Sequence, residues 1–221
     1  MSNKWNDFQS SIEYEFRNNK KSFLRQPTIK RTIACVAKGL SDSIAVRLNN
    51  YQWPNESEVG NPLKISNGFT LSTCQAVWYN YLIQKHLNKT FNSITEIGGG
   101  YGNGCRVFKY YNPNIDYTII DFPIMNEMQK YFLKENGITD TRFSPKGDMK
   151  GDLLFATHSI CEIPIEEREF IKWENFDNAF VFYNPLAFNY NNDDYFNEVA
   201  KKYNGKIFND EIREGKKYLI I

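Results

Sequence analysis

Residues 93–111 read SITEIGGGYGNGCRVFKYY, and this stretch constrains the fold more than any other. A mostly apolar segment typical of a buried strand leads directly into four glycines within positions 98–102. A helix-like segment, NGCRVFKYY, follows at once. Glycine raises the entropy cost of ordering a chain, so repeated glycine marks positive φ angles or the close approach of another backbone or a ligand. The stretch therefore predicts a strand, a tight turn and a helix.

Short strands and helices alternate from residue 93 onward. The predicted strands after the first are DYTIID, TRFSP, DLLFATHS and NAFVFYNP, closed by the pair GKIFNDEI and KKYLII. The predicted helices between them are IMNEMQKYFLKEN, EEREFIKWEN and DDYFNEVAKKY. This alternation predicts an α/β fold, a Rossmann-like doubly wound sheet of seven mostly parallel strands with a C-terminal antiparallel strand.

Residues 1–92 read mainly as helix and loop, which predicts an N-terminal helical region or cap over 1–92 and a second domain over 93–221. The segment LSTCQAVWYNYLIQKHLNKT is strongly helical, with Ser72 as its expected N-cap. Upstream, TIKRTIACVAKGLSDSIAVRL is predicted as one or two helices, with Gly39 as a stop signal.

Composition narrows the classes of function. The formal net charge of +1 argues against a dedicated nucleic-acid binder. No run approaches 18 apolar residues and the N-terminus lacks the apolar core of a signal peptide, so we expect neither a transmembrane segment nor a leader. Four scattered cysteines favour reduced thiols and a cytoplasmic location. The 16% of aromatic residues serve either packing or stacking on a ring-bearing ligand.

Glycine spacing separates the common uses of such a turn. A phosphate-binding loop needs Lys and Ser or Thr after its last glycine, where this chain has Cys105 and Arg106. A dinucleotide fingerprint needs a third glycine, and the two possible frames place Asn103 or Cys105 there. The spacing that fits is acid-x-G-x-G-x-G, formed by Glu96, Gly98, Gly100 and Gly102.

That spacing resembles the first motif of class I S-adenosylmethionine-dependent methyltransferases. The resemblance implies S-adenosyl-L-methionine as cofactor, S-adenosyl-L-homocysteine as product, and Glu96 near the donor's ammonium group. Asp121, at the end of the next strand, would bind the ribose hydroxyls, and its alternative role is a helix cap. Asp148 would accept from the adenine amino group. The expected cofactor-binding residues are Glu96, Gly98, Gly99, Gly100, Gly102, Asp121, Phe122, Asp148, Met149 and Thr157.

A narrower resemblance rests on ITEIGGGYGNG, YTIIDFP and DLLFATHSICEIP. Together they resemble the bacterial sugar O-methyltransferases found near surface-polysaccharide genes. This implies methyl transfer to a hydroxyl of a sugar or glycoconjugate, with the acceptor sugar free, polymeric, or linked to a nucleotide or lipid. The alternatives are another small acceptor, or a donor-binding scaffold without turnover. We expect the N-terminal helices to cover the acceptor side or to pair two copies as a homodimer.

Methyl transfer to a hydroxyl benefits from a positioned base. His158, after the fourth strand, is the leading catalytic residue because imidazole titrates near neutrality, although it could instead only hydrogen-bond the loop backbone. Glu162 would orient His158, be the base itself, or begin a helix. His86 is read as a surface residue. We expect no divalent metal, because the oxygen-rich run of residues 191–194 also suits a loop and helix cap.

Overall fold

The computed structural model describes residues 3–34, 37–65, 68–144 and 149–221. The chain divides into two compact units, which we call the helical unit and the sheet unit. The helical unit comprises Met1–Leu82, Gly100–Pro113 and Phe122–Thr139, and the sheet unit comprises Ile83–Gly99, Asn114–Asp121 and Asp140–Ile221. The division therefore runs through the glycine turn, and the domain boundary expected at residue 92 stays a prediction.

One seven-stranded sheet lies in the sheet unit. Its strands are β1 (Ser93–Ile97), β2 (Asp116–Ile120), β3 (Arg142–Ser144), β4 (Gly151–Thr157), β5 (Phe176–Tyr183), β8 (Lys206–Asn209) and β9 (Lys217–Ile220). Their order is β3-β2-β1-β4-β5-β9-β8, and the first five are parallel. β9 pairs antiparallel with β5 and with β8. The predicted α/β fold with a mostly parallel sheet and a C-terminal antiparallel strand is confirmed. A separate hairpin, missed by the sequence patterns, joins β6 (Leu186–Ala187) to β7 (Tyr190–Asn191).

Aromatic side chains line one face of the sheet. Ring centroids lie 5.9 Å apart for Phe155 and Phe180, 5.7 Å for Phe180 and Tyr218, and 5.3 Å for Tyr218 and Phe208. The His86 ring lies 4.3 Å from Phe208, and its Nε2 is 3.0 Å from the Tyr218 hydroxyl. His86 is therefore half-buried, contrary to the surface position predicted for it. In this part of the chain the aromatic residues serve packing.

The helices begin and end as follows: α1 (Asn3–Asn18), α2 (Pro27–Thr32), α3 (Lys38–Arg47), α4 (Leu71–Leu87), α5 (Asn103–Tyr111), α6 (Pro123–Glu135), α7 (Ser159–Glu162) and α8 (Asn192–Lys202). Gly39 lies inside α3 and does not end a helix. The cap of α4 is Thr70, whose Oγ1 accepts a hydrogen bond from the Thr73 backbone nitrogen at 3.1 Å, so the prediction of Ser72 was wrong by two residues. In the described ranges, no helix is long and apolar enough to cross a bilayer.

The segment predicted as one helix, EEREFIKWEN, instead forms two 3₁₀ turns. They cover Ile165–Phe170 and Trp173–Asn175. Ile171 has extended backbone angles and Lys172 lies outside the helical region, so the chain leaves helical geometry between the two turns. Arg168 is buried within the first turn, which an exposed-face charge pattern does not predict.

The core of the helical unit is built from aromatic rings in edge-to-face contact. Phe23 lies 5.6 Å from Phe16 and 6.4 Å from Tyr101, and Tyr101 lies 4.8 Å from Phe132, measured between centroids. Tyr101 sits inside the glycine turn and is 3% exposed. The second half of the turn is thereby fixed to this core.

Candidate functional site

The carboxyl ends of β1 and β2 bring two predicted acids to one edge of the sheet unit. Glu96 pairs in register with Ile119, and the Gly98 nitrogen donates to the Ile120 carbonyl at 2.9 Å. Asp121 is the next residue after Ile120 and is half-buried. In open parallel sheets, ligands bind outside these carboxyl ends. The charge of Asp121 contributes to the pKa of Glu96, so the two carboxyl groups lie within electrostatic reach of each other.

Glu96 is a buried acid without a cation. It is 3% exposed, and its Oε2 accepts a hydrogen bond from the Tyr117 hydroxyl at 2.9 Å. It has no ion pair with any residue that the structure describes. Burial raises the pKa of Glu96 to about 8. The hydrogen bond from Tyr117 opposes this shift, and the charge of Asp121 adds to it. The carboxyl is thus mostly neutral at pH 7, and an arriving cation would favour its ionised form.

The first glycine of the turn is required by a close contact in the protein. Gly98 has φ +76°, and a Cβ there would lie 2.3 Å from the Cβ of Ser159. The Ser159 hydroxyl in turn donates to the Ile97 carbonyl. Gly98 therefore lets the start of α7 pack directly against the end of β1.

The later glycines are likewise held in left-handed backbone. Gly100 has φ +55° with Ile33 Cγ2 3.2 Å from an added Cβ, and Gly102 has φ +97° with Leu133 Cγ at 3.3 Å. Gln129 Nε2 donates to the Gly100 carbonyl at 3.0 Å. The glycines are thus required by the positive φ angles of the turn and by close packing within the protein. Contact of these glycines with a donor stays a prediction.

The loop after β4 carries the predicted histidine. Thr157 ends β4 opposite Phe182, and the His158 nitrogen donates to the Phe182 carbonyl at 2.7 Å. His158 has φ +66°, a strained value for a residue with a side chain and one found preferentially at functional sites. Burial and the charges of Arg213 and Lys216 lower the pKa of His158 to about 3. The imidazole is therefore neutral at pH 7 and a weak proton acceptor.

Glu162 ends α7 and is half-buried. Burial raises the pKa of Glu162 to about 7. Its backbone is held on both sides, because Arg168 donates to the Ile163 carbonyl at 2.8 Å and to the Cys161 carbonyl at 3.4 Å. Asn192 Nδ2 also donates to the Cys161 carbonyl, at 3.2 Å. Sequence reasoning missed Arg168 and Asn192 in this role, since nothing in their local pattern signals a contact so distant in sequence.

The remaining residues predicted to bind the cofactor are Gly99, Phe122, Met149 and Asp148. Gly99 lies in the sheet unit beside Gly98, whereas Phe122 belongs to the helical unit, where it precedes α6. Met149 lies two residues before β4, is 5% exposed, and its carbonyl accepts a hydrogen bond from the side chain of Asn175, directly before β5. This places Met149 at the amino edge of the sheet, away from Glu96. Asp148 falls outside the described residues.

The oxygen-rich run of residues 191–194 forms the N-terminus of α8, and Asn191 is its cap. Asn191 Oδ1 accepts from the Asp194 nitrogen at 3.3 Å. Asp193 accepts from the Tyr183 hydroxyl at 3.0 Å and pairs with the Lys217 ammonium at 2.7 Å. Among the described residues, no group of three or more His, Cys, Asp or Glu side chains could hold a metal ion.

Comparison with known proteins rests on solved structures, since no family model and no curated protein matches the chain. A candidate O-methyltransferase from Nostoc punctiforme is 10% identical, with a TM-score of 0.52 over 68% of this chain and 57% of that one. A ribosomal protein L11 methylase from Lactobacillus delbrueckii subsp. bulgaricus is 14% identical, with a TM-score of 0.48 over 72% and 86%. PigF with SAH is 11% identical, with a TM-score of 0.49 over 96% and 68%. The first likeness shows a shared fold.

Proposed function

We propose that this chain is an S-adenosylmethionine-dependent O-methyltransferase that modifies a hydroxyl of a sugar or glycoconjugate. The observation that carries the proposal is the pair of acids at the carboxyl ends of adjacent parallel strands, Glu96 and Asp121, beside the left-handed Gly98. The donor's ammonium group would form an ion pair with the buried Glu96, and its two ribose hydroxyls would donate hydrogen bonds to Asp121. The shared fold with the Nostoc protein is consistent with this assignment.

The chemistry of these groups fits that donor better than a phosphate-bearing one. Glu96 and Asp121 would repel a phosphate, and the turn has no lysine to offset them. A buried carboxyl with a raised pKa is instead suited to a cation, whose charge would favour the ionised form. Glu96 and Asp121 would therefore bind the ammonium group and the ribose of the donor.

Glu162 is the residue of this loop whose pKa best suits taking the acceptor's proton. When bound, the donor supplies a methyl group on a sulfonium, which is already activated for in-line displacement. The Glu162 carboxylate would accept the proton of the acceptor hydroxyl as that oxygen takes up the methyl group. Its pKa near 7 suits that role, whereas the pKa near 3 makes His158 a weak base. His158 then shapes the loop that presents Glu162.

Two measurements test the proposal. Calorimetric titration with S-adenosylhomocysteine should show binding, and Asp121→Asn should weaken it at least tenfold through the lost hydroxyl contacts. Asp116→Asn, at the exposed start of the same strand, is the matched control and should leave the affinity unchanged. Equal affinity of the parent and Asp121→Asn would remove Asp121 from this role. Transfer of labelled methyl to a panel of sugars tests turnover, and binding without transfer to any acceptor would favour a scaffold.

A further inference from the structure

Helix α7 is held at its start by a contact with the end of β1. The Ser159 hydroxyl donates to the Ile97 carbonyl, and Gly98 leaves room for the Ser159 side chain. Glu162 lies three residues farther along the same helix, a rise of about 4.5 Å. Glu162 therefore lies near the carboxyl end of β1, where the glycine turn begins.

The other end of α7 is held by a buried arginine. Arg168 is 1% exposed, and its Nε donates to the Ile163 carbonyl at 2.8 Å. Its Nη2 donates to the Cys161 carbonyl at 3.4 Å. These two carbonyl groups belong to the residues on either side of Glu162. The planar guanidinium thus spans the backbone at Glu162, which the single ammonium group of a lysine could not do.

Asn192, the first residue of α8, joins this arrangement to the loop that follows β5. Its side chain is fully buried, and its Oδ1 accepts from Arg168 Nη2 at 2.6 Å. Its Nδ2 donates to the Cys161 carbonyl at 3.2 Å and to the Asn184 carbonyl at 3.0 Å. Its backbone nitrogen donates to the Pro185 carbonyl at 2.9 Å. Asn192 therefore fixes the loops after β4 and β5 to each other.

The Glu162 carboxyl has no such support of its own. It makes no hydrogen bond and no ion pair with the residues that the structure describes, and burial is the cause of its raised pKa. Arg168 likewise has no ion pair within those ranges, so it acts on the backbone of α7 through hydrogen bonds to neutral acceptors. The point from which the Glu162 side chain projects is therefore set by that backbone alone.

We infer that Arg168 and Asn192 are positioning residues for methyl transfer, which hold the backbone at Glu162 so that its carboxylate meets the acceptor hydroxyl. This rests on the proposed function, in which Glu162 accepts the hydroxyl proton. Both residues act through the carbonyl groups beside Glu162 rather than on the substrate. Proton transfer requires the base within hydrogen-bond reach, and a misplacement of about 1 Å can cost about 10²-fold in rate.

The first test measures turnover with labelled S-adenosylmethionine and whichever of methyl glucoside, methyl mannoside and methyl rhamnoside the parent methylates fastest. Arg168→Lys keeps the charge but loses the two-carbonyl contact, so kcat should fall about 10²-fold while KM for the donor stays unchanged. Asn192→Ala leaves the bonds from Arg168 to both carbonyl groups and should cause a smaller fall in kcat. Arg106→Lys, the same change at a buried arginine of the helical unit, is the matched control and should keep kcat.

The second test needs neither donor nor acceptor. In protein labelled with carbon-13 at the glutamate carboxyls, the signal that is missing from Glu162→Gln belongs to Glu162, and its titration gives the pKa. A carboxyl released from its position becomes more exposed, so its pKa should fall in Arg168→Lys from about 7 toward 4.5. Because lysine keeps the positive charge, this fall would report exposure rather than a lost cation. A loss of stability alone, as expected in Arg106→Lys, leaves the pKa near 7.

The inference is overturned if folded Arg168→Lys keeps either the kcat of the parent or its Glu162 pKa. It is also overturned if KM for the donor rises with the fall in kcat, because Arg168 would then serve donor binding. If Arg168→Lys does not fold, the same measurements on Asn192→Ala decide. In all these cases the parent remains active and the proposed function stands. A parent that transfers methyl groups to no sugar overturns the proposed function, and the positioning role with it.

Discussion

Two buried glutamates, one in each unit, differ in how their carboxylates are satisfied. Glu56 in the helical unit accepts from the Thr70 nitrogen at 2.6 Å and the Thr73 hydroxyl at 3.0 Å, and lies 3.4 Å from the Arg106 guanidinium. Glu96 in the sheet unit has the Tyr117 hydroxyl and no cation among the described residues. Both are almost fully buried.

The difference is between a carboxylate whose counter-charge the protein supplies and one that the proposed donor would supply with a counter-charge. The Glu56 group, which comprises Glu56, Thr70, Thr73 and Arg106, supplies its own counter-charge and hydrogen bonds. The carboxyl edge, which carries Glu96, Asp121 and Glu162, has raised pKa values at two of its acids and no internal cation for Glu96. Burying a polar group without full compensation is costly, and under the proposed function the donor's ammonium group would reduce that cost at Glu96.

The largest expected effect is at Glu162. Glu162→Gln should lower turnover about 10²–10⁴-fold because the proton acceptor is lost, while the affinity for S-adenosylhomocysteine stays unchanged. In the parent, turnover should rise with pH through about 7, because Glu162 must be ionised to accept a proton. His158→Asn, which tolerates positive φ, is the control and should keep most activity. Full turnover in Glu162→Gln would contradict the assignment.

The next effect concerns stability of the Glu56 group. Arg106→Met should lower the free energy of unfolding by about 3–5 kcal/mol, because it leaves a buried carboxylate without its cation. The exposed pair of Arg142 and Asp116 gives the contrast, and Asp116→Asn there should cost less than about 1 kcal/mol. Urea denaturation measures both. Similar small losses in the two variants would show that the Glu56 group is not a stabilising unit.

A smaller effect, with a definite sign, is expected at Glu96. Its pKa of about 8 in the folded state exceeds the ordinary value of 4.5. Between these two pH values the folded state binds more protons than the unfolded state, so the free energy of unfolding falls as pH rises from about 4.5 through 8. Glu96→Gln should abolish this dependence and stabilise the ligand-free protein at pH 9 by about 2–4 kcal/mol relative to the parent. Denaturation at pH 5 and pH 9 provides the check, and an unchanged pH dependence in the variant would refute it.

The smallest effect distinguishes close packing from backbone strain. Gly98→Ala should cost about 2–3 kcal/mol, since the new Cβ meets Ser159 and the φ is positive. Gly137→Ala, at the same φ of +76° with no atom within 4 Å of an added Cβ, should cost only about 1 kcal/mol. Ser159→Gly in the Gly98→Ala background should recover part of the difference. Equal costs at the two glycines would mean that the contact with Ser159 is unimportant.

Local patterns in the sequence predicted the elements around the glycine turn closely. SITEI and NGCRVFKYY match β1 and α5 at every residue, because strand propensity, glycine and helix propensity act within a few positions. The sequence predicted that Asp121 ends this strand, and the structure ends β2 one residue earlier, at Ile120. These elements were enough to predict the class of fold.

Long-range contacts explain what the patterns missed. Arg168 lies in a segment predicted as one helix, yet it is 1% exposed and donates to the carbonyl groups of Cys161 and Ile163. The low pKa of His158 depends on Arg213 and Lys216, more than 50 positions away in a separate hairpin. The ordinary pKa of imidazole favoured His158 as the base. Burial lowers the pKa of His158 and raises that of Glu162, so Glu162 becomes the stronger base of the two.

The most direct test of the central claim is proton release on donor binding. S-adenosylhomocysteine is titrated into the protein at pH 7 in two buffers of different ionisation enthalpy, and the difference in heat gives the protons exchanged. Because Glu96 starts mostly protonated and would end paired with an ammonium group, we predict release of close to one proton by the parent and none by Glu96→Gln. Absence of binding, or equal proton exchange in the two proteins, would contradict the claim that Glu96 receives the donor.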